Sequence, residues 1–181
     1  MKFVEYQKST FKHFAQKLYI SAFIPDERRE FSQILHLLNT DNFKFYIVED
    51  SLKPLAILLL WHLDAFYYIE HLAVEQNIRN NKIGTNIIQY LQNKIFEPIV
   101  LEVELPLSIE AQRRISFYQR LGFTILNNYY LQPPYSTNKN EVEMKIMLYE
   151  NDTHYSLSFE KIKETIYTMV YNKSYKYNSI G

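Results

Sequence analysis

A basic loop that runs into an apolar helix can hold an anion, and "IRNNKIGTNII" at residues 78–88 has that composition. Arg79 and Lys82 supply positive charge. Gly84 leaves no side chain where a ligand would approach the first helical turn, and it admits unusual backbone angles. A helix start adds unpaired N–H groups and the positive end of the helix dipole. Placed after a strand, such a start suits a phosphate or diphosphate. A solvated basic loop whose glycine serves only packing fits the same residues. The stretch is not a dinucleotide fingerprint, because GxGxxG is missing, and not a P-loop, because no glycine-rich run ends in GK[ST].

Other chemistries are narrowed by what the chain lacks. Without cysteine there are no disulfides, thiolate zinc sites or cysteine nucleophiles. The five histidines show no HxxxH or HxH spacing, so no metal site is expected. No GxSxG elbow supports serine-triad chemistry. Carboxylates remain. Glu102 and Glu104 alternate in "VLEVELP" and share one strand face, while Glu70 and His71 adjoin in "YIEHLAV". Strand alternation predicts that Glu70 faces the same side as Leu72 and His71 the opposite side, as a structural histidine.

The elements that position these groups follow from periodicity. Phe11, Phe14, Ala15 and Leu18 keep helical spacing, as do Phe31, Ile34, Leu35 and Leu38, with Pro25 as a break and Asp26 as an N-cap between them. "NFKFYIVED", "LAILLLWHL" and "AFYYIEHLAV" read as strands. A helix opening at Gly84 carries Ile83, Ile87, Ile88, Leu91 and Ile95 on one stripe. "PIVLEVELP" is a strand, and Glu110 to Leu121 a helix that Gly122 ends in a left-handed cap. "FTILNNYYL" and "EVEMKIMLY" are the last strands, joined by "QPPYSTNKN". A strand–helix–strand–helix run inside an otherwise antiparallel sheet indicates a mixed α/β fold. A final helix is capped by Ser158, with Phe159, Ile162, Ile166, Met169 and Val170 on one face. We therefore expect one domain over residues 1–150 and a helical extension over 151–181.

Bulk properties agree. A chain of 181 residues, 47% apolar, can bury a sizeable core. Twenty basic residues balance twenty acidic ones, so nothing draws the protein to nucleic acid or an anionic membrane. "MKFVEYQKSTF" is not a secretion signal, and Leu55 to Trp61 is about a third of a membrane span. A soluble cytoplasmic domain is expected.

Taken in order, "HLAV", "RNNKIG", an amphipathic helix, "IVLEVEL" and "ISFYQRLGF" resemble the GNAT superfamily of N-acetyltransferases. Arg79 matches the first position of that family's Q/R-x-x-G-x-G/A phosphate loop and Gly84 the last; Lys82 replaces the middle glycine. Tyr118 and Gly122-Phe123 match its second signature, although Ala111 stands where an asparagine is usual and Arg114 where a small residue is. The resemblance runs from about Phe43 to Tyr149.

It implies a mixed sheet of about six or seven strands flanked by helices, and transfer of an acetyl group from acetyl-CoA to an amine of a small molecule or peptide. Residues Arg79, Asn80, Asn81, Lys82, Ile83, Gly84 and Thr85 would grip the diphosphate. Backbone groups of Leu72, Ala73 and Val74 would meet pantetheine between two splayed parallel strands and polarise the thioester carbonyl. Tyr118 would donate a proton to the CoA sulfur, against the alternative of a buried packing aromatic. Glu70 would be the base, against the alternative of a glutamate paired with lysine or arginine. Glu104, with Glu102, is a reserve near the acceptor. Tyr135 would line the acceptor pocket, and Tyr67, Tyr68 and Tyr130 would shape it. Arg113 or Arg114 would reach acceptor or phosphates, or form a solvated face. Two other readings fit: a non-catalytic acyl-CoA-binding module, and an interaction protein that dimerises through the last helix.

Overall fold

The computed structural model describes residues 1–51, 53–79, 81–150 and 157–173. Seven strands form one sheet: β1 (Lys2–Glu5), β2 (Phe43–Asp50), β3 (Lys53–Leu63), β4 (Phe66–Val74), β5 (Ile99–Glu104), β6 (Thr124–Gln132) and β7 (Val142–Tyr149), in the order β1-β2-β3-β4-β5-β7-β6. Only β4 and β5 run parallel; every other pair is antiparallel. The helices are α1 (Lys12–Ala22), α2 (Phe31–Leu37), α3 (Ile83–Lys94), α4 (Ile109–Gln119) and α5 (Phe159–Thr165), which continues as a π-helical turn, Ile166–Val170. The mixed α/β architecture is the one the sequence indicates.

Two apolar layers hold the sheet between the helices. On one face, Phe43, Phe45, Ile47 and Trp61 pack with Ala15, Leu18 and Tyr19 of α1, Ile34 of α2, and Ile162, Ile166 and Val170 of the tail. On the other, Leu58, Leu60, Ile99 and Leu101 pack with Ile87, Ile88 and Leu91 of α3 and with Ile115 and Tyr118 of α4. The tail face offered by the sequence for a dimer is thus buried on the chain's own sheet, apart from the exposed Met169. No helix among the described residues is long and apolar enough to cross a membrane.

Three local readings change. The edge strand β1 was not expected; its four residues are too few to show a period. Asp26 does not cap α2. It lies in the 3₁₀ turn Pro25–Glu27, and α2 starts with a capping box in which Gln33 Oε1 accepts from the Glu30 N–H at 2.8 Å. The third difference is a β-bulge. Leu59 pairs with His71 and Leu60 with Ile69, so Glu70 is an extra residue in β4. The bulge shifts the strand's phase. Glu70 reaches Trp61 and His71 packs on Phe23, so both face the α1 side, while Leu72 joins the α3 side.

Gly122 behaves as expected. Its φ is 86°, its N–H donates to the Gln119 carbonyl at 3.0 Å, and the Phe123 N–H donates to that of Tyr118 at 3.1 Å. This is a Schellman cap. A Cβ here would come within 3.2 Å of the Tyr149 ring. Gly122→Ala is therefore expected to destabilise the fold by about 1–2 kcal/mol. Urea denaturation would measure this, and an unchanged midpoint would contradict the strained cap.

Candidate active site

The site opens where the pairing of β4 with β5 stops, next to the bulge at Glu70. Parallel pairing of β4 with β5 is limited to Tyr67–Ile99, Tyr68–Val100 and Ile69–Leu101. Beyond it both strands continue but diverge, leaving the β5-facing edge of β4 without a strand partner from Glu70 to Val74. A cleft of about 630 Å³ occupies the gap, within the usual range for small-molecule sites.

The start of α3 forms one wall. Its first intrahelical bond runs from the Asn86 N–H to the Lys82 carbonyl at 2.8 Å, and no side chain caps it. The N–H groups of Ile83, Gly84 and Thr85 therefore have no intrahelical acceptor, and all three residues line the cleft beside Arg79 and Lys82. The left-handed turn falls on Lys82 (φ 59°, ψ 12°), not on a glycine, at a cost on the order of 1 kcal/mol. Gly84 matters for close approach: a Cβ there would lie 3.3 Å from the Phe117 ring and 3.7 Å from Val74. Asn81 is exposed and does not line the cleft, and Asn80 lies outside the described residues. Leu72, Ala73 and Val74 line the opposite wall, where Arg79 Nε donates to the Val74 carbonyl at 3.4 Å.

Tyr118 is on α4, 7% exposed, and lines the cleft with Glu104, Arg113 and Arg114. Burial pushes its hydroxyl up to about 12, so it keeps its proton at neutral pH. Arg114 pairs with Glu104.

Glu70, expected as the base, is among the residues that line the cleft, but its carboxylate is tied to two donors. Its side chain is fully buried; Oε1 accepts from Arg29 Nε at 2.8 Å and Oε2 from Trp61 Nε1 at 2.6 Å. Burial, the largest single influence, opposes ionisation, but the charge of Arg29 and the hydrogen bonds from Arg29 and Trp61 act together to hold the carboxyl below its ordinary range. Both oxygens are engaged and the group is a weak base, as in the paired-glutamate alternative. Arg29 also donates to the Val170 carbonyl at 2.6 Å and lies 4.7 Å from the centre of the Tyr135 ring. Tyr135 is buried below the cleft against Tyr171, and neither it nor Tyr67, Tyr68 or Tyr130 lines the opening. Glu102 accepts from Tyr130, from Gln132 Nε2 at 2.7 Å and from Tyr171 at 2.9 Å. The tail thus reaches the layer beneath the cleft through Val170 and Tyr171.

Burial pushes His71 down to about 4 from an ordinary 6.5. Between those values the unfolded chain binds a proton that the folded one does not. Stability at neutral pH should therefore fall by about 3 kcal/mol as pH drops through this window. Denaturation at pH 7 and 4.5 should show the loss, and His71→Phe should flatten it. Equal slopes for the two proteins would contradict the buried neutral imidazole.

Glu27, absent from the sequence-based candidates, also lines the cleft. Inside "FIPDERRE" it reads as one more solvated charge. No group of three or more His, Asp or Glu side chains among the described residues could hold a metal.

A mixed sheet that splays between two parallel strands, with a helix start and a tyrosine at the opening, defines a class: the Acetyltransferase (GNAT) domain, whose family profile matches residues 41–125. A protein from Bacteroides thetaiotaomicron assigned to the GNAT acetyltransferase family is 33% identical, with 94% of this chain and 98% of that one aligned at a TM-score of 0.84. The chain belongs to the GNAT family. Two more distant structures share the fold. An aminoglycoside 6'-N-acetyltransferase complexed with coenzyme A is 17% identical over 82% of this chain and 96% of that one, TM-score 0.59. A spermidine N-acetyltransferase from Vibrio cholerae is 14% identical over 86% and 96%, TM-score 0.60. No curated protein matches the sequence significantly.

Proposed function

We propose that the protein is an acetyl-CoA-dependent N-acetyltransferase acting on a primary amine of a small molecule or peptide. One observation carries this reading: the free amides of α3, the open edge of β4 and the Tyr118 hydroxyl face a single cleft. The coenzyme A in the aminoglycoside acetyltransferase and the amine acceptors named for both distant structures support it.

The residues present fit the cosubstrate. A diphosphate needs N–H donors and positive charge, which Ile83, Gly84 and Thr85 supply with Arg79 and Lys82. The amide-like arm of pantetheine needs a strand edge with no strand partner, which β4 offers at Leu72 to Val74, where only the Arg79 side chain meets the Val74 carbonyl. When bound, acetyl-CoA supplies an activated acyl group and a thiolate leaving group. Backbone N–H groups on the β4 edge stabilise charge on the acyl oxygen. Tyr118 donates its proton to the departing sulfur, whose ordinary thiol pKa is about 8.5. Glu70, locked to Arg29 and Trp61, fixes the bulge in β4 beside the cleft.

Titration calorimetry tests the reading. Acetyl-CoA should bind the wild type, and Arg79→Ala with Lys82→Ala should weaken it about tenfold or more, with less binding at high salt. No binding at millimolar acetyl-CoA would end the proposal.

A further inference from the structure

The segment between α1 and α2 is tied down at each charged residue but one. Asp26 accepts from the Asn140 backbone at 3.3 Å and from its side-chain amide at 3.1 Å. Arg28 Nε donates to the Phe23 carbonyl at 3.1 Å, and Arg29 is bound to Glu70 and Val170. Glu30 pairs with Lys139 at 2.9 Å. Glu27 sits in the middle of this clamped stretch, half-buried and lining the cleft; its backbone N–H donates to the Ile24 carbonyl at 3.1 Å, but its carboxylate has no hydrogen bond or ion pair among the described residues. A half-buried carboxylate without a donor is unfavourable unless a ligand provides one.

A second observation points the same way. Gln132 is 3% exposed and lines the same cleft. Its Nε2 is committed to Glu102, but its Oε1 accepts from nothing among the described residues. Two acceptors without donors in one cleft call for a ligand that brings N–H groups and positive charge.

Resting on the acetyl-transfer reading, we propose that Glu27 receives the ammonium of the acceptor and takes its proton, with Gln132 Oε1 accepting a further N–H. In that step an N–H bond of the ammonium breaks and an O–H bond forms on Glu27. The freed lone pair bonds to the acyl carbon as the carbon–sulfur bond breaks, and sulfur takes the Tyr118 proton. Of the two protons that nitrogen gives up, one leaves through Glu27 to water. The other balances the proton that Tyr118 must regain.

The electrostatics of the cleft suit this role. Burial, then the charge of Glu104, lifts the Glu27 carboxyl to about 7, with Arg114 opposing and Glu102 and Asp26 adding. Glu70 with its neighbour His71, and Glu110 and Arg113, are the other titratable or charged groups lining the cleft beyond Arg79, Lys82 and Tyr118. A base that titrates near neutrality can both accept and release a proton at working pH.

The test is a carbon-13 NMR titration of the glutamate side-chain carboxyls. The wild type should show a resonance with a midpoint near 7 that disappears in Glu27→Gln, distinct from that of Glu102, whose carboxyl burial also raises. Saturating 1,4-diaminobutane should lower that midpoint by about one unit, as an adjacent cation does. An ordinary midpoint of about 4.3, or no response to the diamine, overturns the assignment. Acetyl-CoA calorimetry run beside it separates the two readings. Unchanged binding in Glu27→Gln with an ordinary midpoint rejects Glu27 alone, whereas a wild type that does not bind acetyl-CoA rejects the acetyltransferase reading.

Discussion

Tyr118→Phe should lower kcat by about 10²-fold or more while leaving acetyl-CoA affinity within about twofold. The hydroxyl is the only atom removed, and the ring keeps its edge contacts with Phe117 and Phe123 at centroid distances of 5.0 and 5.5 Å. Packing and stability are therefore nearly preserved. What disappears is a proton held on a group that burial keeps neutral, next to the place where a thiolate must leave. An amine screen that follows release of the CoA thiol provides the assay. Undiminished turnover in the variant would reduce Tyr118 to the packing aromatic that its neighbours also allow.

The largest effect on stability is expected from Arg29→Met, a loss of about 3–5 kcal/mol. Glu70 would then be a buried carboxylate with only Trp61 as donor, and the Val170 carbonyl would lose its donor too. Against a total stability of about 5–15 kcal/mol, one such change can unfold much of the population. Adding Glu70→Gln should recover part of the loss, because the neutral amide no longer requires a counter-charge. Denaturant unfolding of the two single variants and the double variant measures the coupling. A Glu70→Gln change that brings no recovery in the Arg29→Met background would mean that the pair contributes little. The acid side has a definite sign as well: the lowered pKa of Glu70 adds stability above its unfolded value, and this is lost as pH falls through the folded one.

Periodicity made most of the sheet legible. Phe43, Phe45 and Ile47 alternate into the core, and Ile87, Ile88 and Leu91 face it at helical spacing. The glycine at 122 marked its cap because a left-handed residue has few alternatives. That Arg79, Lys82 and the first turn of α3 would line a cleft could be read from sequence because a helix start is a local feature. The bulge could not be. It arises from which residues of β3 pair with β4, so simple alternation put Glu70 with Leu72, whereas in the fold Glu70 faces away from Leu72 and shares the side of His71. The Arg29–Glu70 pair joins residues 41 apart in sequence and was equally hidden. Glu27 was missed for a related reason: a charge in a polar segment looks solvated until its neighbours turn out to be clamped and its own carboxylate left free. Tyr135 failed in the opposite sense, since two prolines and a polar loop gave no sign that its ring lies under Arg29.

The most direct measurement is a crystal structure of the protein with coenzyme A. The diphosphate oxygens should lie within hydrogen-bond distance of the N–H groups of Ile83, Gly84 and Thr85, with the pantetheine arm along β4 and the sulfur near Tyr118. A diphosphate bound away from the start of α3, or that corner filled by the protein's own side chains, would contradict the account.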